Sequence, residues 1–334
     1  MESSRAAGRR ARRSRRRPLL YTALAAVAVV GASAGGTVYV KAQAHSGGGA
    51  VSSATTPSGS PSSATTTQEA AVAKPVVDLD KQLATAMKSV SVTGDQKVSA
   101  AVLDLESDDS AVHGDGTFDT ASIVKVDILA ALLLQHQEAG TRLSAQEKAY
   151  ATTMIENSDN TSASALWDAI GRASGLDAAN AKLGLTGTEG GDGALWGLTQ
   201  TTAADQLTLL QQVFGEDSEL SEASRSYIQG LMGQIEADQR WGVSAAADGT
   251  GFALKNGWLP RSTTGLWDIN SIGRVTVAGH AYLVAVLSNG NSTQAEGVSL
   301  VEAAAKAAVS VFTGETGSAS ASASADVTSA VIAR

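Results

Sequence analysis

Ser122-Ile123-Val124-Lys125 sets a serine hydroxyl and a lysine amine three residues apart, inside a run that is otherwise almost purely apolar. Thr117-Phe118-Asp119-Thr120 offers capping residues, and the following stretch from Ala121 to His136 reads as helix. Residues three apart on a helix are neighbours on one face, and Thr or Asp is favoured at the cap. The apolar positions (Ile123, Val124, Val126, Ile128, Leu129, Leu132, Leu133, Leu134) go all the way round, so the helix is expected to be buried rather than amphipathic. Lysine is almost never fully buried without a partner, and desolvation drives it toward a neutral amine able to take a proton. A serine in the first turn, near the positive end of the helix dipole, is placed to become a nucleophile. By itself S-x-x-K is a loose pattern, although it occurs once in this chain.

Two more motifs follow it in order. Ser158-Asp159-Asn160 comes after a helical stretch and just before the helix-like Thr161 to Ile170. Lys255-Asn256-Gly257 lies in the strand-like run Gly251 to Trp258. Lys182-Leu183-Gly184 matches the third pattern too, but it ends a helical segment and opens a Gly-rich loop. Around these motifs, Asp78 to Val90 has helical spacing, and Lys97 to Glu106 and Ala111 to Gly114 read as strands about a turn. Three strands (Phe252 to Trp258, Leu266 to Val277, Ala281 to Ser288) and a C-terminal helix (Ala295 to Phe312) close the region. Strands at both ends with helices between them imply the α/β (α+β) class, with one sheet built from the two ends of the chain.

Serine-x-x-lysine, serine-aspartate-asparagine and lysine-x-glycine, in that order, resemble the signature of the class A β-lactamases and penicillin-binding proteins. The resemblance covers about residues 76–314 and is closest to class A serine hydrolases. It implies an antiparallel sheet flanked by helices, plus an all-helical insertion that is shortened here, because Ser122 and Ser158 are close in sequence. It also implies catalytic roles: Ser122 as the acylated nucleophile, Lys125 as its base, Ser158 as proton relay to the leaving nitrogen, and Lys255 as positive charge beside Ser158 and the substrate carboxylate. Asn160, Asn256, Gly257 and Trp258 are the implied substrate-binding residues, with the backbone N–H groups of Ser122 and Trp258 as the oxyanion hole. Class A enzymes hydrolyse the acyl-enzyme with a loop glutamate, and Glu189 falls about where it would be expected. Its Gly-rich surroundings (Gly190, Gly191, Gly193) offer little to fix it, so this loop is expected to be flexible and deacylation slow.

Other chemistries find little support. Arg240 and Arg261 bracket the lysine strand and read as structural or exposed rather than as carboxylate clamps. The 4 histidines (His45, His113, His136, His280) lack metal-ligand spacing, so no metal is expected. A phosphate-binding or dinucleotide fingerprint is missing as well, and no cofactor is expected. Gly31-Ala32-Ser33-Ala34-Gly35 mimics a hydrolase elbow but lies in an apolar N-terminal segment. The tryptophans do not interleave with basic residues as a nucleic-acid platform would.

The ends suggest where the protein works. Residues 1–18 carry 8 arginines and one glutamate and precede the 22 uncharged residues Leu19 to Val40, a pattern expected of a signal peptide or signal-anchor helix. Charge bias puts the N-terminus inside and the remainder outside the membrane, whether anchored or released by cleavage. Residues 41–75 read as a Ser/Thr/Pro/Gly-rich linker, 76–314 as one hydrolase domain, and 315–334 as an Ala/Ser-rich tail. Beyond residue 18 the chain has 17 Lys/Arg against 32 Asp/Glu, a net charge of −15, which argues against nucleic acid as partner. There are no cysteines, so stability must come from packing. The expectation is a monomeric exported serine hydrolase acting on β-lactams or D-alanyl peptides; the other class is a non-enzymatic envelope binding or scaffold protein that keeps the fold.

Overall fold

The computed structural model describes residues 78–314. The expected basic N-terminal region, signal or anchor segment, linker and Ala/Ser-rich tail all lie outside the described residues. Among the described residues no helix is long and apolar enough to cross a membrane.

The chain starts with helix α1 (Leu79–Ala86), capped by Asp78, and a single 3-10 turn. Strands β1 (Lys97–Asp104) and β2 (Ser110–His113) form the expected hairpin. The short β3 (Phe118–Asp119) then leads into a 3-10 turn (Ala121–Ile123) and helix α2 (Val124–Glu138). Helices α3 (Ala145–Glu156), α4 (Asn160–Ile170) and α5 (Arg172–Leu183) follow, then β4 (Gln200–Thr201), which pairs with β3. Helices α6 (Ala203–Phe214) and α7 (Glu222–Met232) lead back to the sheet. It is completed by β5 (Phe252–Pro260), β6 (Trp267–Val277) and β7 (His280–Asn291), and α8 (Gln294–Thr313) ends the described chain.

The five-stranded sheet is antiparallel, in the order β2-β1-β7-β6-β5. The first long strand lies beside the last, so the two ends of the chain do close one sheet. Successive side chains of a strand point to opposite faces, and here both faces are apolar. In β7, Leu283, Ala285 and Leu287 join the core on the α2 side, whereas Tyr282, Val284 and Val286 join the core beneath α1 and α8. Burial on both faces explains why β7 reads as a continuous apolar run from Ala281 to Leu287 rather than an alternating one. Helix α2 is buried from Val124 through Leu134 by the helices around it, as its all-round apolarity predicts.

One detail of α2 departs from expectation. Neither Thr120 nor Asp119 caps it through its side chain. Thr120 Oγ1 is buried without a hydrogen-bond partner, and Asp119 is taken up by Arg261 and Gln200. The entry is instead shaped by backbone: Ala121 adopts φ 49°, a left-handed value unusual for a residue with a Cβ.

Helix α2 also buries a second ionisable group. Asp127 is fully inaccessible, and its Oδ2 accepts a 3.1 Å hydrogen bond from Asn180 Nδ2 of α5, while Asp127 Oδ1 and Asn180 Oδ1 lack partners. Burial pushes the Asp127 carboxyl up to about 7; the Asn180 hydrogen bond opposes this, and the Asp177 and Asp205 charges add to it. A protonated Asp127 would offer Asn180 Oδ1 the donor it lacks. Between the ordinary value of 3.8 and about 7 the folded protein therefore holds a proton that the unfolded chain has lost, so this group makes stability fall as pH rises across that window and leaves it level above it. Asp127→Asn, which mimics the neutral acid, is expected to flatten the fall and to exceed the wild type in stability at pH 8. Denaturant unfolding at pH 5, 6, 7 and 8 checks this; parallel curves for the two proteins would mean that Asp127 is already ionised when folded.

Candidate active site

Each of the three motifs is locally explained. Ser122 lies in the 3-10 turn, and Lys125 lies in the first turn of α2. In Ser158-Asp159-Asn160 the middle residue is the cap of α4, its Oδ2 accepting the Ser162 N–H at 2.6 Å. That hydrogen bond holds the Asp159 carboxyl below its ordinary range. Ser158 takes φ 56°, a second left-handed residue with a side chain. Such strain costs on the order of 1–3 kcal/mol and persists only where its surroundings enforce it. Here it turns the Ser158 carbonyl and hydroxyl and the Asn160 amide toward one point.

That point is the Lys125 amine. Nζ lies 2.6 Å from Ser158 O, 2.8 Å from Asn160 Oδ1, 3.0 Å from Ser158 Oγ and 3.0 Å from Ser122 Oγ. The two carbonyl oxygens can only accept, so they take two N–H groups. What remains on the nitrogen, a third proton or a lone pair, faces the two hydroxyls. Desolvation lowers Lys125 to about 7, with the Asp159 charge offsetting part of the drop. A substantial share of the amine is therefore neutral near neutral pH, with its lone pair available to the Ser122 or Ser158 hydroxyl.

Lys255 enters from β5. It too is inaccessible, and its Nζ donates to Ser158 Oγ at 2.9 Å and to Asn256 O at 3.0 Å. Burial, then the neighbouring Lys125 charge, place its pKa well below the ordinary lysine range. Ser158 Oγ thus lies between two amines. An oxygen that accepts from both has its own proton left to donate elsewhere.

β5 is an edge strand, and it comes very close to the serine turn. A Cβ on Gly257 would stand 2.7 Å from Thr120 O, 2.8 Å from Ser122 N and 2.9 Å from Ile123 N. The approach is held from β6, where Asn270, opposite Gly257 in register, donates to Asp119 O at 2.9 Å and Thr120 O at 3.0 Å. Only a glycine fits between them.

A cavity of about 530 Å³ opens above Ser122, walled by Asn160, the segment 194–198 and the segment 258–263, which includes Trp258. No Asp or Glu is among the residues that line it. Glu189 is exposed, and its backbone bridges to Gln200. The expectation of a flexible loop is corrected. Gly190 N donates to Asp177 Oδ1 (2.8 Å), Gly191 N to Thr199 Oγ1 (3.1 Å), and Trp167 Nε1 to Gly193 O (2.8 Å). A Cβ at Gly191 would lie 2.1 Å from Leu195 O, so this glycine marks tight packing rather than freedom. Asn256 likewise departs from its expected place: it is 1% exposed, and its amide donates to Gln239 O (2.7 Å) and Trp241 O (3.0 Å), tying that segment to β5 instead of facing substrate. Arg261 lines the cavity but pairs with Asp119 and stands 3.7 Å from Asp268, whereas Arg240 Nε donates to Ile235 O. Sequence reading does not single out Leu195, and it takes Trp196 only as one of several core or cleft-wall tryptophans. Leu195 is 55% exposed on the cavity wall, and the Trp196 ring centre lies 5.0 Å from Lys125 Nζ.

Comparison with known proteins places this geometry. A model of the β-lactamase enzyme family matches residues 133–312, more than half of the chain, and the chain belongs to that family. The matched part holds Ser158, Asn160 and Lys255; Ser122 and Lys125 precede it and are joined to it by the hydrogen bonds above. Among curated proteins none matches in sequence. Among solved structures the chain is similar to an acyl-enzyme complex of a PBP-A variant with penicillin G, at 20% identity and TM-score 0.60, covering 70% of this chain and 97% of that one. It is also similar to the TLA-3 extended-spectrum β-lactamase (16% identity, TM-score 0.59, 69% and 96% covered). A class A β-lactamase from Bacteroides cellulosilyticus DSM 14838 gives 15% identity, TM-score 0.59, and 71% and 98% covered. At these identities the likeness establishes the fold: a mixed α/β structure with an antiparallel sheet flanked by helices.

Gly257→Ala is expected to push β5 away from the serine turn. The melting temperature should fall, because the added Cβ would meet three backbone atoms within 2.9 Å. A wild-type melting temperature in this variant would refute the close approach.

Proposed function

We propose that this protein is a serine acyl-transfer hydrolase, with Ser122 acylated by β-lactams or D-alanyl peptides. The observation that carries the reading is the 3.0 Å contact between Lys125 Nζ and Ser122 Oγ, made by an amine whose environment favours neutrality. Neutral Lys125 takes the Ser122 proton, Oγ bonds to the substrate carbonyl carbon, and the carbonyl electron pair moves onto its oxygen. The Ser122 and Trp258 N–H groups are the proposed donors to that oxyanion. As the intermediate collapses, the bond to the leaving nitrogen breaks and Ser158 gives that nitrogen its proton. Lys125 then returns the proton to Ser158, and Lys255 holds the Ser158 hydroxyl in place.

Release of the acyl group is proposed to be slow. The cavity wall beside Ser122 is Leu195, Trp196 and Leu198, none of which can take a proton from water. Glu189 is accordingly assigned no part in turnover. The protein is proposed to work outside the cytoplasm, tethered or released, on the strength of its N-terminal charge pattern. A non-catalytic binding role is the second reading, favoured by the same apolar wall, since a cleft that acylates and does not release behaves as a covalent receptor.

Intact-protein mass spectrometry after incubation with a fluorescent penicillin tests the proposal. The wild type should gain one adduct that lasts minutes to hours. Ser122→Ala should gain none while keeping its fold, because Ser122 Oγ caps nothing and its hydrogen bond is to Lys125. Lys125→Ala should label roughly 10²–10⁴-fold more slowly, and Glu189→Gln should alter neither labelling nor release. The wild-type labelling rate should rise with pH through about 7, because the neutral amine is the active form. Labelling that persists in Ser122→Ala would put the nucleophile elsewhere, and turnover at tens per second would contradict slow release.

A further inference from the structure

The wall residue Trp196 has a direct relation to the reacting groups. Its ring centre is 5.0 Å from Lys125 Nζ, with the amine over the ring face. The indole is oriented at its far side, where Nε1 donates to Ser164 Oγ of α4 at 3.2 Å. Its backbone belongs to a 3-10 turn, Trp196–Leu198, closed by Leu198 N to Leu195 O at 2.8 Å. The next residue, Thr199, accepts the Thr120 N–H at 2.9 Å, which couples the tryptophan turn to the serine turn.

The charges around Lys125 make the ring matter. Asp159 lies before α4 and raises the lysine, but its carboxylate is engaged at the α4 cap. Lys255, across Ser158 Oγ, carries charge of the same sign when protonated. Arg261, on the same cavity, is paired with Asp119 and Asp268. No carboxylate lines the cavity beside Ser122, and the charge that raises Lys125, Asp159, is held at the α4 cap rather than against the amine. Beside the Ser158 and Asn160 carbonyl oxygens, which already accept from the amine, the negative face of the indole is a further group that favours a cation at this spot.

We propose that Trp196 is a positioning residue for acylation, holding the Lys125 amine with its ring face and stabilising the ammonium that forms as Ser122 loses its proton. The proposal rests on the acyl-transfer reading for its consequence, while the pairing itself stands apart from it. Proton transfer breaks Ser122 Oγ–H and forms Nζ–H, converting a neutral amine to a cation, and the attraction of a π face grows from weak to full over that step. The interaction is therefore stronger in the transition state than before it, the condition for accelerating the reaction.

Two substitutions in the full chain separate the π face from mere cover. Trp196→Phe keeps a ring and Trp196→Leu does not, and both lose the Ser164 hydrogen bond. Acylation by the fluorescent penicillin, followed across pH, should be close to wild type for Trp196→Phe. For Trp196→Leu the acid limb should move down by about one pH unit, because the cation has lost its partner, and the rate above the limb should fall several-fold. Titration of Lys125 by NMR with ¹³Cε-labelled lysine reads the pairing without any activity, and the Trp196→Leu midpoint should drop by the same amount. If the wild type is not acylated, the acyl-transfer reading fails and the NMR midpoint alone decides the pairing. An unmoved midpoint in Trp196→Leu, or equal losses of rate in both variants with the acid limb in place, would overturn the proposal.

Discussion

An amine buried among four oxygens is the constraint on which the rest of this structure depends. Lys125 Nζ has no access to water, so its hydrogen bonds must come from protein groups, and they must come at the right distances. Meeting that demand needs the carbonyl of a residue in the left-handed region, an amide from the first residue of α4, and a hydroxyl from a strained turn before α2. None of these would be stable as a free peptide. They are held because α2 is packed on all sides and cannot move to relieve them.

The sheet contributes the second half of the arrangement by bringing an edge strand against that turn. Close approach removes the side chain at Gly257, and Asn270 reaches across from β6 to bind the carbonyls of Asp119 and Thr120. Lys255, two residues before Gly257, then projects beneath the cleft to Ser158 Oγ. The serine relay is therefore clamped between the two structural halves: one amine comes from the helical part, the other from the sheet. The proton movement proposed through Ser158 requires that neither half shift by more than a few tenths of an ångström, since hydrogen bonds weaken quickly beyond about 3.2 Å.

Much of this was legible in the sequence, for identifiable reasons. All-round apolarity from Ile123 to Leu134 announced a buried helix, and a lysine inside it announced an unusual amine. The strand runs at both ends announced a sheet built from both ends of the region, most plainly at β7 with its unbroken apolar run from Ala281 to Leu287, whereas β5 and β6 also bury Lys255, Asn256, Asn270 and Ser271. Other features depended on tertiary neighbours. Thr120 looks like a helix cap and instead sits buried, since Ala121 turns the backbone away. Gly190 and Gly191 read as slack, whereas their missing side chains make room for Ala173 and Leu195 O. Asn256 follows a cleft lysine in sequence but bonds the 239–241 segment. Trp196 was legible as a core or cleft-wall aromatic, yet only the folded chain brings it over Lys125.

The same geometry bears on what the cleft is built to do. Acylation and deacylation need different groups: a base that reaches the serine for the first, and a base that reaches a water on the acyl carbon for the second. The proposed first base, Lys125, has four hydrogen-bond contacts and a π face, while the wall beside the serine offers Leu195, Trp196 and Leu198. That wall is firmly held, by Trp167 to Gly193 on one side and Thr120 to Thr199 on the other. A carboxylate in its place would pair with the Lys125 cation and could also take a proton from water; an indole can do the first and not the second. On the proposed reading, Trp196 favours the forward step without providing for release, so the proposed slowness of release relative to acylation traces to a single side chain.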